Sequence, residues 1–572
     1  YLSEYQICDS GVLFRHYSLF SFILRMFKEM FAHRQSSKHQ ISFLPCFIFM
    51  FFCGPGTLLF AIEILVPQDV PSIIEAIDAA QDGDVIWVSP GDYAGPIDLM
   101  GKSIQLISTS EPESTWISVV GQPSAVKFIS GEFSNTILEG FTLRNGTGTV
   151  ISGRSYGGGI LIQNSTPTIR NCIIENNQAV EGGGIHIEGP TFGEVILESV
   201  ILQNNSASDL GGGLSLASQA EINMSECSLI SNTASVVSGA ISCDQSTLIV
   251  SDSLIANNSS NLAVGAVWVH CDSEAVITDS VISANTAPLS GGGIVISDQG
   301  RATLDRCQIS ENSGGSSGGG ILLDSGSDQE LQIIRDCVFH NNFAQTGGAH
   351  LSVSFNPINL LIESCTFGLT SNNSGAAINI NNSTPDSIII DSSIVMGSAN
   401  GSVVALPGST FAQYSCIEGM LGSGVTQLDS FDLDPLFTDA AAGIYTLEPG
   451  SPCLDNGNPL LPLDSDGSIT DVGALGPRTN VSEEFRRGDV DGSGTENIAD
   501  AIQVLAFLFI PGASTPPCED AVDTNDDGAL NLTDAITLLT TLFVLGDPLP
   551  VPFGECGLDP TVDSLTCSTG CP

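Results

Sequence analysis

One motif recurs along most of this chain at a nearly constant interval. The copy at residues 171–187 reads NCIIENNQAVEGGGIHI, and similar runs follow it every 26 to 30 residues. A small residue opens the copies: Cys172, Val200, Cys227, Ser253, Ser280, Cys307, Cys337 and Cys365. An asparagine comes five residues later: Asn177, Asn205, Asn232, Asn258, Asn285, Asn312 and Asn342. We expect Gly140 with Asn145 before them, and Ser393 after them, to extend the series. A period of this length indicates a solenoid, in which each unit is covered only by its neighbours.

The units have the periodicity of β-strands. Short runs of Ile, Val and Leu alternate with polar residues, and Gly, Asn and Ser separate the runs. The pattern predicts coils of three short strands, stacked about 4.8 Å apart, so that equivalent residues form ladders. Asparagines in register can hydrogen-bond along such a ladder. A phosphate-binding loop needs a single glycine motif between a strand and a helix, whereas this motif recurs without a helix, so we interpret the glycines as structural.

The repeat also places the cysteines. Cys172, Cys227, Cys307, Cys337 and Cys365 share one position, where stacking predicts buried free thiols, although an exported chain would allow disulfides. Cys243 is expected to face inward from another strand. The cysteines outside the repeat could pair with one another: Cys518, Cys556, Cys567 and Cys571. A C-x2-C pair is absent from the sequence, which argues against a zinc site.

These repeats resemble right-handed parallel β-helix proteins of the pectin-lyase-like kind, and the features GGxI and [IF]xxN are similar to those of bacterial polymorphic outer-membrane repeats. The segment VPSIIEAIDAAQDGDVIWV resembles the opening of such folds, where one apolar face of a short helix closes the coil stack. That face is predicted to comprise Ile73, Ile74, Ile77 and Ala80. DLDPLFTDAAAGIYTLEPGSPCLDNGNP resembles their closing segment. The resemblance implies an all-β parallel β-helix over residues 62–478, and it implies little about activity, because the fold carries many functions.

The net charge of the chain excludes some classes of binding partner. The chain has 16 Lys+Arg and 64 Asp+Glu, for a net charge of -48. So acidic a surface repels nucleic acid and anionic lipid, and it attracts cations. Charged residues make up only 14% of the chain, which argues against an acidic disordered protein.

We interpret residues 1–61 as residues that lie upstream of the true translation start, followed by a bacterial-type signal peptide. KEMFAHRQSSKHQ is basic and ISFLPCFIFMFFCGPGTLLFA is apolar, with cleavage expected before Ile62. A membrane anchor is the alternative, but no cluster of stop-transfer charges follows the apolar run. Lipid modification of Cys53 is a further, less favoured reading. We therefore expect a secreted or cell-surface monomer that meets the membrane only through its signal peptide.

The composition changes after a linker at residues 479–487. GDVDGSGTENIADAIQVLAFLF and AVDTNDDGALNLTDAITLLTTLF are two copies of one unit, 34 residues apart, over a module spanning 488–572. Each places oxygen donors at alternate positions, glycine at the sixth and an acid at the twelfth, as a calcium loop requires. The predicted ligands are Asp489, Asp491, Ser493, Thr495, Asn497 and Asp500 in the first loop, and Asp523, Asn525, Asp527, Ala529, Asn531 and Asp534 in the second. Thr495 and Ala529 would contribute carbonyl oxygens only. Two calcium ions are expected.

Helices are expected to follow the loops. Asp500 and Asp534 are predicted to cap them, and the predicted apolar faces comprise Ile502, Leu505, Phe509, Ile536, Leu539 and Phe543. The loops end in Asp where an EF-hand ends in Glu, and no clear helix precedes them. This combination resembles a dockerin, which implies a cohesin-like protein partner. The tenth and eleventh loop positions depart from the Ser/Thr pairs of many dockerins, so a calcium-stabilised domain without a partner remains the alternative.

The sequence leaves catalysis open. Between Phe128 and Asn400 there is no lysine, which argues against a lyase acting on an anionic polymer. If the isoleucine after the glycines points inward, the next residue points outward. The outward set forms a candidate carbohydrate-contact face: His186, Glu188, Asp244, Trp268, His270 and Asp324. We expect Trp268 to be exposed beside carboxylates and available to a sugar ring.

Two functions fit these observations. The first is a non-catalytic β-helix scaffold that adheres to or contacts carbohydrate, with a calcium-stabilised tail. The second is a polysaccharide-degrading enzyme, a glycoside hydrolase rather than a lyase, displayed through the dockerin-like module. Two carboxylates about 5 to 9.5 Å apart in a cleft near Trp268 would favour the hydrolase.

Overall fold

The computed structural model describes residues 61–119, 121, 123–189, 193–324, 331–354, 359–371, 375–381, 388–397, 401–405, 410–419, 425–464, 467–474, 485–490, 496–509, 518–526, 530–543 and 549–553. The predicted signal peptide therefore lies outside the described residues. The chain divides into two compact units between residues 475 and 476. None of the helices among the described residues is long and apolar enough to cross a membrane.

The first unit is a parallel β-helix, as the repeat predicts. The coils pass through three long stacks of strands, sheets 1, 2 and 4, which have 15, 13 and 12 strands among the described residues. A shorter stack of nine strands, sheet 3, lies between sheets 2 and 4 in the chain order and was not expected. Within these sheets the strands pair in parallel, except that Thr149–Ile151 pairs antiparallel with Arg154–Tyr156 at the start of sheet 3.

The strands of the solenoid follow in sheet order. Sheet 1 comprises Glu63–Val66, Val85–Val88, Gln105–Ser108, Ile137–Glu139, Thr168–Arg170, Val195–Glu198, Glu221–Ser225, Thr247–Ser251, Glu274–Thr278, Arg301–Asp305, Leu331–Arg335, Asn359–Glu363, Ile388–Asp391, Thr410–Gln413 and Thr426–Leu428. Sheet 2 comprises Gly91–Ala94, Thr115–Ser118, Thr142–Arg144, Ile173–Glu175, Ile201–Gln203, Ser228–Ile230, Leu254–Ala256, Val281–Ser283, Gln308–Ser310, Val338–His340, Thr366–Phe367, Ile394–Val395 and Cys416–Ile417. Sheet 3 comprises Thr149–Ile151, Arg154–Tyr156, Gln178–Glu181, Ser206–Leu210, Thr233–Ala234, Ser259–Ser260, Thr286–Ala287, Ser313–Gly314 and Phe343–Ala344. Sheet 4 comprises Ile97–Asp98, Val126–Phe128, Ile160–Gln163, Ile185–Glu188, Leu214–Ala217, Ile241–Asp244, Val267–His270, Ile294–Ile296, Ile321–Leu323, Leu351–Val353, Ile378–Ile380 and Val403–Ala405.

The predicted asparagine ladder is present and buried. The side-chain Nδ2 of Asn232 donates to Oδ1 of Asn258 on the next coil at 3.0 Å, and Asn205 repeats this contact with Asn232 at 3.0 Å. The two residues of each Asn-Asn pair in the repeat have different structural roles. The first member, such as Asn204, takes a left-handed conformation with φ of 54°, which asparagine tolerates better than most residues. The second member then points into the interior and joins the ladder.

The cysteines of the repeat are buried free thiols, as expected, and Cys243 is buried on sheet 4. One part of the series was assigned wrongly. Because Ile173 pairs with Thr142, the residues beneath Cys172 and Asn177 are Phe141 and Gly146, and not Gly140 and Asn145. Gly146 has no side chain to offer, and its backbone N–H donates to Asn177 Oδ1 at 2.8 Å. The ladder therefore ends one residue away from the predicted position.

The glycine triplets permit close contact between coils. A Cβ atom on Gly183 would lie 2.4 Å from the carbonyl oxygen of Ser206, which is a steric clash. Gly182, with φ of +63°, makes the turn into sheet 4. The structural interpretation of these glycines is thus confirmed.

A short helix, α1 (Ile73–Ala79), lies before the coils. Ser72 caps its N-terminus by accepting from the N–H of Glu75 at 3.2 Å. Its buried residues are Ile73, Ala76 and Ile77, while Ile74 is exposed, so the predicted apolar face was wrong at that position. A face built at i, i+3 and i+4 excludes the adjacent residue.

The closing segment, residues 432–464 and 467–474, packs on the last coils. It contains a hairpin of Phe437–Asp439 and Ile444–Leu447, and a single 3-10 turn, Ala440–Ala442, joins these strands. Another 3-10 turn, Pro112–Ser114, precedes a sheet 2 strand in the early coils. Buried Asp391 accepts from Nδ2 of Asn458 at 2.8 Å, which fixes the segment to the end of sheet 1.

The described part of the second unit contains three helices: α2 (Ile498–Phe509), α3 (Glu519–Val522) and α4 (Leu532–Phe543). Helices α2 and α4 follow the two predicted calcium loops, and the four-residue α3 precedes the second loop. The predicted apolar faces are partly wrong, because the following side chains are exposed: Ile502, Ile536 and Phe543. The buried faces lie one or two residues away and include Ala501, Val504, Ala535 and Leu538, with Leu505 and Leu539 partly buried against them.

Candidate functional site

The outer face of sheet 4 holds the predicted contact residues, because strand alternation sends every second side chain outward. Pairing forms one ladder from His186 through Ser215 and Ser242 to Trp268. A second ladder runs beside it, in which Gln163 pairs with Glu188, Glu188 with Ala217, and Asp244 with His270. Asp324 follows the strand Ile321–Leu323, further along the same face. The structure therefore brings these residues onto one face but spreads them over several coils.

Trp268 does not offer an exposed platform for a sugar, contrary to expectation. Its side chain is 7% exposed and belongs to an apolar cluster on the outside of sheet 4, with Val237, Val264, Val295 and Leu322. Val237 and Val264 come from the turns that lead from sheet 3 into sheet 4, and they cover the strand that follows. The outside of this sheet thus has a small apolar core of its own.

His270 stacks on Trp268, with ring centroids 3.6 Å apart and planes 12° apart. The indole Nε1 donates to Ser297 Oγ at 2.9 Å, so the tryptophan is held on two sides. Burial lowers the pKa of His270 to about 3, so the imidazole is neutral near pH 7. Its Nε2 is buried and has no hydrogen-bond partner among the described residues.

Asp244 lies at the edge of this cluster and is the most accessible of its polar groups. The side chain is 39% exposed, and its Oδ1 is 3.9 Å from His270 Nδ1. That Oδ1 is buried and accepts no hydrogen bond within the described part of the chain. Burial raises the pKa of Asp244 to about 6, and the charge of Glu181 adds to the rise. A carboxyl group with such a pKa exchanges a proton close to neutral pH, which is typical of functional sites.

A second polar cluster occupies the preceding coils. The ring of His186 lies 4.7 Å from that of Tyr156, and burial lowers the pKa of His186 to about 3. Its Nδ1 is buried without a hydrogen-bond partner among the described residues. Arg154 bridges Glu181 at 2.7 Å and Asp209 at 2.6 Å. Despite that bridge, burial raises the pKa of Glu181.

Two carboxylates of the face stand on one ladder with a gap between them. Glu188 accepts from Gln163 Nε2 at 2.6 Å, and its neighbour on the next coil is Ala217. Asp244 continues the ladder one coil further. Two strand spacings separate the Cα atoms of Glu188 and Asp244, or about 9.6 Å. Ala217, which lies between them, has only a methyl side chain. Inverting hydrolases likewise use two carboxyl groups that are separated by room for a water molecule.

The same face contains a group of metal-ligand types. Donor atoms of Asp244, His270 and Cys271 lie within 4.8 Å of one another. Cys271 is disulfide-bonded, so its sulfur is not a thiolate ligand. The two remaining donors are fewer than the three protein ligands of a catalytic zinc site, and the group does not fit zinc.

The calcium loops are described in part. Asp489, Asp500, Asp523 and Asp534 are buried, which brings two acidic side chains into the interior at each loop. Asn497, Asn525 and Asn531 are also described, whereas Asp491, Ser493, Thr495, Asp527 and Ala529 lie outside the described residues. Among the C-terminal cysteines, Cys518 is disulfide-bonded. Cys556, Cys567 and Cys571 lie outside the description.

The helix caps at these loops differ from expectation. Asn497 Oδ1 accepts from the N–H of Ala499 at 2.8 Å, and Asn531 Oδ1 accepts from that of Thr533 at 2.9 Å. The asparagines are therefore the N-caps. Asp500 and Asp534 accept from the N–H groups of these caps, both at 2.8 Å, which is the reciprocal half of a capping box. The duplicated sequence thus gives duplicated geometry.

Sequence reasoning missed several residues of the outer face. The in-register ladder would have shown Ala217 between Glu188 and Asp244, had the period been applied to sheet 4. Glu181 and Arg154 belong to the unexpected sheet 3, and Tyr156 and Ser297 act through contacts between coils. No sequence signal distinguishes these four from other polar positions.

The family comparison agrees with this architecture. The chain matches the family described as "Right handed beta helix region" over residues 117–266 and 248–394. Among solved structures, pectate lyase Pel9A is 10% identical, with a TM-score of 0.37 over 73% of this chain and 97% of that chain. The PL6 family alginate lyase AlyGC is 14% identical, with a TM-score of 0.41 over 75% and 60%. The polygalacturonase from Erwinia carotovora ssp. carotovora is 10% identical, with a TM-score of 0.27 over 65% and 95%. No curated protein matches the sequence.

Proposed function

We propose that this right-handed parallel β-helix is an extracellular scaffold that contacts carbohydrate through the outer face of sheet 4. The observation that supports this most is Asp244, a partly exposed carboxylate beside the stacked Trp268 and His270, whose pKa burial raises to about 6. Around it, His186 and His270 have buried ring nitrogens without hydrogen-bond partners among the described residues. Polar groups that are desolvated in this way mark a binding surface.

The charge of the face selects the class of carbohydrate. Glu188 and Asp244 lie on it, Glu181 and Asp209 lie on the neighbouring sheet 3, and Arg154 pairs with the latter two acids. A polyuronate would be repelled by this face and by the net charge of -48. Neutral or amino-sugar polymers are therefore the expected ligands.

A binding assay tests this proposal. The full chain is titrated with neutral, cationic and anionic polysaccharides, and the Asp244→Asn variant is compared with Glu221→Gln, which alters an exposed acid on sheet 1. We expect the Asp244 variant to bind about 10-fold more weakly, as for a lost hydrogen bond to a charged group, and the Glu221 variant to be unchanged. Equal binding by both variants would place the contact elsewhere.

Hydrolysis is the second candidate, and the position of Glu188 and Asp244 on one ladder, on either side of Ala217, favours it. Asp244, with its raised pKa, would protonate the leaving oxygen, and Glu188 would remove a proton from the attacking water. Activity should then fall as the pH rises through about 6, and the product should have inverted anomeric configuration. Binding without release of reducing ends would leave the scaffold function and reject the enzyme.

We further propose that the tail binds two calcium ions and uses them for stability. Four buried aspartates in the two loops, Asp489, Asp500, Asp523 and Asp534, provide the hard oxygen donors that calcium prefers. Calorimetric titration of the EDTA-treated full chain should show calcium binding, and no heat of binding would reject the module. A cohesin-like partner is the further proposal, and its test is pull-down with a purified cohesin in the presence and absence of calcium.

Export is proposed from the apolar and basic pattern of residues 1–61. Expression of the chain with and without this segment, followed by fractionation, tests it. We expect the full chain in the medium or at the cell surface as a monomer, and retention in the cytoplasm of both forms would contradict the proposal.

A further inference from the structure

Two cysteines outside the repeat ladder meet at the end of the solenoid. Cys416 lies in Cys416–Ile417, the last strand of sheet 2, and Cys453 belongs to the closing segment. Both are buried, and they share an apolar cluster with Ile394 and Val472. Two stretches of chain that are distant in sequence therefore place thiols in one buried apolar cluster.

Main-chain contacts fix both thiols in place. Cys416 is hydrogen-bonded through its N–H to the carbonyl of Ser393 at 2.9 Å, and its Sγ lies 3.1 Å from the carbonyl oxygen of Leu433. Cys453 donates its N–H to Ser451 Oγ at 3.1 Å, and its carbonyl accepts from Val472 at 2.9 Å. The two thiols are close enough to affect each other's pKa: the contact lowers that of Cys416 and raises that of Cys453.

The thiols of the repeat ladder have a different arrangement. Cys307 and Cys337 occupy the same position on successive coils, so their side chains point in one direction. The Sγ atom of Cys307 lies 3.3 Å from the carbonyl of Ile277, and that of Cys365 lies 3.4 Å from the carbonyl of Ile334. Ladder thiols also neighbour one another, since the N–H of Cys307 donates to Cys337 Sγ at 3.4 Å, but they follow on successive coils in register. Cys416 and Cys453 come instead from two different segments, the last coil and the closing segment.

We propose that Cys416 and Cys453 form a disulfide that fastens the closing segment to the last coil of the β-helix. The site is an oxidative modification site, and it does not depend on the proposed carbohydrate face. Its consequence is mechanical: the end of the solenoid, where a coil would otherwise have no cover, is held covalently. An unfastened end exposes unpaired strand edges that other chains can join.

The reaction requires an external oxidant, which we identify by class as a low-molecular-weight disulfide or a thiol–disulfide oxidoreductase. The Cys416 thiolate attacks one sulfur of that disulfide, whose S–S bond breaks and releases a thiolate. The Cys453 thiolate then attacks the sulfur of Cys416, and the second thiolate of the oxidant leaves. The two protons lost by the cysteines go to the two released thiolates, so the protein is oxidised and the oxidant is reduced by two electrons.

The order of these attacks follows from the local contacts. The neighbouring Cys453 thiol lowers the pKa of Cys416, while the same contact and burial raise the pKa of Cys453. Cys416 is therefore the better nucleophile for the first step. Both sulfurs are buried in the folded chain, so we expect oxidation while the closing segment docks.

Thiol mapping tests the proposal on the full chain. Protein produced in an oxidising compartment is denatured in an alkylating reagent without reductant, digested and analysed by mass spectrometry. The expected result is a cross-linked peptide pair containing Cys416 and Cys453, while Cys172, a ladder thiol without a cysteine neighbour, is alkylated. Full alkylation of Cys416 and Cys453 would overturn the proposal.

Variants supply a second readout that does not rely on mapping. Reductant should increase hydrogen–deuterium exchange of the closing segment several-fold in the wild type and in Cys172→Ser. In Cys453→Ser the exchange should already be high and should not respond to reductant. If Cys453→Ser does not fold, Cys416→Ala with Cys453→Ala keeps the pocket apolar and serves in its place. An equal response to reductant in the wild type and in the Cys453 variant would refute the proposed disulfide.

Discussion

Replacing Asn232 by Asp changes one atom type in the interior and should be strongly destabilising at neutral pH. Asn232 is fully buried. Its Oδ1 accepts from the backbone N–H and the Nδ2 of Asn205, both at 3.0 Å. Its Nδ2 donates to the carbonyl of Leu202 at 2.8 Å and to Oδ1 of Asn258 at 3.0 Å. In the variant, an oxygen faces these two acceptors.

The magnitude follows from the proton that the variant must hold. The buried carboxyl avoids an unpaired charge by staying protonated, whereas the unfolded chain releases the proton above a pKa of about 3.9. Each pH unit above that value costs about 1.4 kcal/mol, which amounts to about 4 kcal/mol at pH 7. The protonated carboxyl group has one donor hydrogen where the amide has two. The hydrogen bond that is lost adds about 1 kcal/mol to the destabilisation at any pH. Since the folded pKa is raised, stability is lost as the pH rises.

Urea unfolding followed by circular dichroism measures both the pH-dependent cost of the proton and the pH-independent cost of the lost hydrogen bond. We expect a loss of about 1 kcal/mol at pH 4 and about 5 kcal/mol at pH 7 relative to the wild type. Asn261→Asp, the same change at an exposed position of the next turn, is the matched control and should have little effect. A variant as stable as the wild type at pH 7, or one with the same loss at both pH values, would refute the reasoning.

Three further predictions concern other parts of the chain. Phe339 stacks on Phe367 in the interior with centroids 4.5 Å apart, so Phe339→Ala should lower the free energy of unfolding by about 3–5 kcal/mol, while exposed Phe133→Ala should not. Asp244, whose pKa is raised to about 6, makes the wild type lose stability as the pH rises from about 4 to about 6. Asp244→Asn should therefore melt at a higher temperature than the wild type at pH 8 and close to it at pH 4, and a lower melting temperature at pH 8 would contradict the assigned pKa. EDTA should expose residues from about 485 onward to protease and leave the β-helix intact, and Asp523→Ala with Asp534→Ala should reproduce part of this effect; equal protection with and without EDTA would contradict the module.

The solenoid interior could be predicted from the sequence because its repeat is a physical register. Each coil offers one position for a small residue and one for an asparagine, so the spacing alone identified the ladders of Cys227 and Asn232. The prediction was wrong at Gly140 and Asn145, where the true partners of the repeat are Phe141 and Gly146. Phe141 and Gly146 match neither the small residue nor the asparagine of the repeat, so the sequence pattern could not identify this coil.

In the second unit, too, the sequence spacing predicted some features and only the structure could assign others. The duplicated loops and their helices followed from spacing, while the choice between Asn497 and Asp500 as the cap did not, because both are good capping residues. Their roles are reciprocal, and only the hydrogen bonds assign them. The buried helix faces depend on which neighbour each helix packs against, which explains the exposed Ile502 and Ile536.

The outer face of sheet 4 marks the boundary between what sequence and tertiary structure decide. Alternation within a strand determined that His186, Asp244 and Trp268 point away from the interior, because successive side chains of a strand lie on opposite sides. It did not determine whether that outside is open to solvent. Turns from sheet 3 cover Trp268, and burial then shifts the pKa of Asp244. Burial depends on segments that are neighbours in space and not in sequence, so the tertiary structure alone converted a row of outward residues into a desolvated site.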